Sequence, residues 1–162
     1  MIGTLSTALQ IVAIVLVGLV AGSMFGIWRG YDPAAYAPAT FVEVHQGAVR
    51  GLNTLLPAMA GVALVLTIGL AVLARSRPVA LWAYLGVVLL VAIGGVITRF
   101  ANQPINDQVA AWTAATMPGN WTSLRDNWWT WHIARLAVTL TAEVLLILAV
   151  FADRDAAAAA GS

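Results

Sequence analysis

A chain of 162 residues that is 61% hydrophobic and 9% charged, with a formal net charge of +1 and a mean hydropathy of +0.88, lies far from soluble domains, in which about a quarter of residues are charged. It reads as one integral membrane domain over residues 1–162, whose partners are the lipid bilayer and hydrophobic small molecules; the near-zero charge gives no electrostatic argument for nucleic acid. The absence of cysteine excludes disulfides, thiolate metal ligands and a cysteine nucleophile.

The first apolar run, residues 5–28, carries no charge and is long enough to cross a hydrocarbon core of about 30 Å. It lacks the basic start of a signal peptide and exceeds the usual apolar core of about 7 to 15 residues, so it reads as a retained span. Gly18, Gly22 and Gly26 recur every fourth residue and form a smooth ridge for another helix, within the monomer or in a homo-oligomer. Gly30, Pro33 and Pro38 then break the helix, while Trp28, Tyr31 and Tyr36 suit the aromatic belt at a membrane surface.

The second span, residues 40–74, is roughly 50 Å long at the helical rise, so its first turns must leave the hydrocarbon or line a wet cavity. Thr40 and Glu43 have the spacing of a capping box. Glu43, Gln46, Arg50 and Asn53 share one face by their spacing of three and four, with His45 on a neighbouring face. Pro57 predicts a kink, and Arg75-Ser76-Arg77-Pro78 ends the span.

The third span, residues 79–99, offers Gly86, Gly94 and Gly95 as contact points. In the loop beyond it, Pro104 favours a first helical position, and Ile105, Val109 and Trp112 recur at helical spacing, which predicts a short amphipathic helix stopped by Met117-Pro118-Gly119. The fourth span covers residues 122–151. Plotted at 100° per residue, Arg125, Trp129, His132, Thr139 and Glu143 fall on one stripe with Trp128 and Arg135 at its edge, and a stripe so polar must face the other helices. The expected fold is therefore all-α: a four-transmembrane-helix bundle with a long second helix and a short amphipathic helix between the third and fourth spans.

Four spans place both termini on the same side of the membrane. Arg75, Arg77 and Arg154 argue that their end is cytoplasmic, whereas Arg29, Arg99 and Arg125 argue the reverse; because function can hold the second group in place, the polar end is expected outside the cytoplasm.

Ionisable groups inside spans are costly and therefore functional candidates. Glu43, His45, His132 and Arg135 are the candidate catalytic groups, and Gln46, Arg50, Asn53, Asn102, Asn106, Trp128 and Trp129 are the candidate binding groups. The same residues could instead form a structural polar plug, with Glu43 capping its helix and pairing with Arg50, and His132 satisfied by Trp or Asn neighbours. His45, Glu43 and His132 would also be a minimal ligand set for a transition metal such as iron or copper, although side chains two apart on a helix diverge. Glu143, near the middle of the fourth span, either holds helices together or relays protons.

The run Asn102-Gln103-Pro104-Ile105-Asn106, followed by Trp112, Trp121, Arg125 and then Trp128-Trp129-Thr130-Trp131-His132-Ile133-Ala134-Arg135, resembles the anthrone oxygenase family of small four-helix membrane proteins. The likeness includes a small-residue first span and a proline in the second helix, and so extends over nearly the whole chain. It implies oxidation of anthrones to anthraquinones by dioxygen with no conventional cofactor. An anthrone carries an acidic methylene between two rings, and the anion left on its deprotonation reacts with oxygen directly. His132 as base, with Arg135, Asn102 and indole N–H groups around the oxyanion and Trp128 and Trp129 flanking a flat substrate, would supply what that needs.

Two other functions stay open on the residues alone. One is a non-catalytic protein that binds a lipid-like ligand or a partner; the other is a small proton-coupled transporter using Glu143.

Overall fold

The computed structural model describes residues 2–159. Six α-helices follow in order: α1 (Ile2–Gly30), α2 (Pro38–Leu52), α3 (Leu55–Leu73), α4 (Pro78–Ile97), α5 (Gln103–Ala110) and α6 (Trp121–Ala159), with a π-helical turn, Thr98–Asn102, joining α4 to α5. Among the described residues four stretches are long and apolar enough to cross a membrane: Thr4–Gly30, Pro38–Leu73, Pro78–Ala110 and Trp121–Ala159. The protein is a multi-pass, all-α membrane bundle.

Both α1 and α4 pack against α3 and α6, which therefore stand diagonally across the bundle. The second and fourth spans are thus not backbone neighbours, and their side chains meet only across the interior. Small residues set how closely the adjacent helices approach. A Cβ added at Gly86 would come within 2.9 Å of Leu145, and one at Gly18 within 3.2 Å of Glu143. Gly22, Gly26 and Gly95 meet nothing within 4 Å, so the ridge expected on α1 is used at Gly18 alone.

Prolines account for most departures from the expected elements. The second span is two helices: α3 restarts at Leu55, just before Pro57, because that residue has no N–H for the Asn53 carbonyl and its ring would clash there. The α2 helix begins at Pro38 after Ala37, with no side-chain cap, so the Thr40–Glu43 capping box does not form. The amphipathic helix of the third loop is α5, which follows α4 directly through the π turn. Pro104 withdraws a hydrogen-bond donor, and the chain passes it through the wide π turn. This helix stops at Ala110, earlier than expected, and α6 runs on to Ala159, beyond the expected residue 151.

Three apolar layers fill the bundle. At one end, Ala13, Leu70, Ala74, Ala80, Tyr84, Leu146 and Ala149 belong to a close-packed core. A thin middle layer comprises Val20, Met24, Leu56 and Leu136. At the other end an aromatic cap joins Tyr31, Phe41, Ile105, Val109 and Trp128, with Trp112, Trp121 and Trp129 against them. Beyond the close-packed core lies a polar tie: Asp153 accepts from Gln10 Nε2 at 2.9 Å and pairs with Arg77 Nε at 2.7 Å. The start of α1, the end of α6 and the turn between α3 and α4 therefore share one end of the bundle.

Candidate functional site

The polar residues of the aromatic end form two hydrogen-bonded groups, and donor chemistry fixes the direction of each bond. Trp128 Nε1 reaches an Asn106 side-chain atom at 2.7 Å. An indole N–H only donates, so that atom is the amide oxygen. His45 Nε2 lies 3.2 Å from the same oxygen and must therefore carry a hydrogen, which leaves Nδ1 of the neutral ring to accept from the Tyr31 hydroxyl at 3.1 Å. The Asn106 Nδ2 donates in turn to Asn53 Oδ1 at 3.1 Å. One indole N–H thus sets the polarity of a chain running from Tyr31 through His45 and Asn106 to Asn53.

The second group centres on α6. His132 Nε2 lies 3.1 Å from the backbone oxygen of Met24, which can only accept, so the ring is the Nε2–H tautomer. Its bare Nδ1 faces Arg135 Nη2 at 3.4 Å, one turn along the same helix. Arg135 Nη1 donates to Thr98 Oγ1 at 3.1 Å, and its Nε is buried with no protein partner. Among the described residues no carboxylate lies within ion-pair distance of this guanidinium. The stacked rings of Trp128 and Trp129, at 5.2 and 5.5 Å from His132, hold the imidazole in place.

Two cavities meet at Arg135. The larger, about 700 Å³, is an apolar cleft between α3 and α4, with Val17, Val20 and Met24 of α1 and Arg135 and Thr139 of α6 on its inner wall. The smaller, about 50 Å³, is lined by His45, Asn53, Asn106, Thr98, Trp128 and Arg135. Asn53, Leu56, Pro57, Thr98 and Arg135 border both. Such an arrangement suits a flat apolar molecule in the cleft with one oxygen at the guanidinium, and the chamber has room for one or two molecules the size of water.

Of the candidate catalytic and binding residues, His45, Asn53, Asn106, Trp128 and Arg135 line a cavity. His132 is fully buried behind Arg135 and borders neither cavity. Trp129 stacks behind it, and Asn102 Nδ2 donates to the Trp128 carbonyl at 3.0 Å, tying the π turn to α6. Gln46 caps the end of α5 by donating to the carbonyls of Val109 and Trp112, both at 2.9 Å. Glu43 and Arg50 are exposed. The inward face of α2 is that of Phe41, Val42 and His45, so Glu43 does not join the two histidines, and no three His, Cys, Asp or Glu of the described residues gather as a metal ligand set. Thr98 and Tyr31 were not foreseen. Tyr31 turns inward from the presumed surface belt, and burial, with Tyr36 beside it, pushes its phenol well above the usual range against a smaller downward pull from Arg125.

Residues 46–145, more than half of the chain, match the family described as anthrone oxygenase. The chain belongs to the anthrone oxygenase family. No curated protein and no solved structure matches it. In this anthrone oxygenase family member the matched stretch holds Arg135, His132, Thr98, Asn53, Asn106 and Trp128, whereas Met24, Tyr31 and His45 lie before it. At the level of the family the protein is an oxygenase-like membrane protein.

Proposed function

We propose that the protein oxidises a membrane-dissolved anthrone-type ketone with dioxygen, giving the corresponding quinone and water. The observation that carries this reading is Arg135, a guanidinium without a carboxylate partner at the inner end of an apolar cleft. An unpaired cation there is expensive, and an oxyanion in the cleft would compensate it. Deprotonating the methylene of an anthrone creates that oxyanion on the ring oxygen, where Nε and Nη2 would hold it as a pair of charge-assisted hydrogen bonds.

When the guanidinium turns to the substrate, its 3.4 Å contact with His132 would be released, and the Nδ1 behind it would take the proton of the enol tautomer, whose hydroxyl hydrogen sits at the oxygen that Arg135 holds. The electron-rich carbon then adds dioxygen, taking a proton at the distal oxygen to form a hydroperoxide. Loss of its O–O bond with the second methylene hydrogen yields the new carbonyl and water. One oxygen atom enters the product and the other leaves as water, so the reading calls for no metal or organic cofactor.

Oxygen uptake and quinone absorbance of the purified protein with anthrone test this. Arg135→Gln is expected to lower kcat/KM by about a hundredfold or more, as loss of an oxyanion donor does, with Arg135→Lys intermediate. Uptake equal to wild type in Arg135→Gln would remove the reading. A ligand-binding role without turnover is favoured by the engagement of both imidazoles, since each Nδ1 already accepts a hydrogen bond. It predicts saturable binding of anthrone with no oxygen consumed.

A further inference from the structure

The large cleft opens sideways. At the close-packed end α3 and α4 share the Ala71, Ala74 and Ala80 core, but further along they part. The gap between them is edged by Pro57 and Gly61 on one side and Gly95 and Phe100 on the other, all exposed. Its upper edge is the layer in which both helices lose α geometry, the break after Leu52 and the π turn at Thr98–Asn102. Leu55, Val62, Val65, Leu89 and Val96, which flank the gap on the outer faces, are large, apolar and exposed. A surface of that kind in a membrane span meets acyl chains. Behind the gap the lining is mostly apolar, with Arg99 and Gln103 polar beside Phe100 and with Asn53, Thr98, Arg135 and Thr139 polar further along it.

We infer that the gap between α3 and α4 is a lateral port through which an apolar aromatic ligand passes from the hydrocarbon phase to Arg135, its oxygenated edge leading and its opposite edge left facing lipid. Gly61 and Gly95 keep the port open. A Cβ at either meets nothing within 4 Å, so larger side chains there fill the passage without displacing protein atoms. A ligand seated this way tolerates an alkyl tail on its trailing ring, because the tail continues into the bilayer. The substrate class is therefore a polycyclic aromatic ketone with or without a long alkyl chain, taken from the membrane. The inference draws on the oxygenase reading only for the choice of ligand.

The test uses the full chain in lipid nanodiscs, with saturable quenching of tryptophan fluorescence by anthraquinone as the binding readout and oxygen uptake on anthrone beside it. Gly61→Leu/Gly95→Leu should weaken anthraquinone binding by about tenfold or more and lower kcat/KM for anthrone in parallel, with kcat changed less. Gly22→Leu, at an equally open glycine of α1 outside the cleft, should bind as wild type and controls for the helix itself. An anthraquinone bearing a dodecyl chain should compete as well as the parent compound.

Wild-type binding in the folded double variant would overturn the port while leaving the oxygenase reading intact, as would exclusion of the alkylated competitor. Binding that the double variant loses, in a protein that consumes no oxygen, would support the port and remove the oxygenase reading. Absence of saturable anthraquinone binding by the wild type would overturn the port.

Discussion

The Trp128 indole is the residue on which the polar chamber turns. Its single N–H fixes the Asn106 amide, hence the His45 tautomer, hence the direction of the Tyr31 bond. Trp128→Phe keeps the ring stacking but releases that order, so two His45 tautomers should appear in nitrogen-resolved NMR where the wild type shows one. Leaving the buried Asn106 oxygen short of a donor should also cost about 1–3 kcal/mol, read from thermal or denaturant unfolding. Tyr31 gives a pH prediction. Its folded-state phenol ionises above the unfolded value of about 10, so its contribution to stability is complete below that pH and is lost as pH rises through and beyond it. Tyr31→Phe should flatten the alkaline fall in unfolding temperature, and a fall unchanged in the variant would show that other groups cause it.

At the scale of elements, two prolines shape the site by interrupting the helices that carry it. Pro57 forces the restart that leaves Asn53 between α2 and α3, within reach of Asn106. Pro57→Ala should let the second span run on as one helix, raising helical content slightly and weakening anthraquinone binding through the loss of the Asn53–Asn106 contact. Unaltered binding with a continuous helix would show that the break is not needed. These elements also show how far the sequence could be read. The spans were visible because about 20 apolar residues leave few other options, and both prolines declared themselves. The inward face of α2 was not. Polarity in a span points to the interior, and Glu43, Gln46, Arg50 and Asn53 are the polar residues, yet Glu43 and Arg50 reach the surface while Phe41 and His45 turn in. Tyr31 was misplaced for a similar reason, since an aromatic residue next to a span suits the surface belt equally well. Arg135 was recognisable because a charge so deep in a span needs a reason.

Across the whole molecule the two ends differ in kind. One end is shut by packing and by the Arg77–Asp153–Gln10 tie, formed by residues far apart in the chain and invisible to any local pattern. Asp153→Asn leaves Arg77 without its counter-charge. Because the Arg77 side chain is still 25% exposed, the loss should fall below the about 3–5 kcal/mol of a fully buried pair, measured as a lower unfolding temperature with anthraquinone affinity retained. The other end is held open by irregular backbone. Counted in residues, the wide turn at Thr98–Asn102 is one amino acid more than a plain helix needs, and each surplus residue rotates everything after it by about 100°. A chain lacking Ala101 would keep its length almost unaltered and its hydropathy profile intact, yet Asn106 would swing away from Trp128 and His45. Two sequences that any profile would score alike would then differ, through a single deletion, in whether they have a chamber.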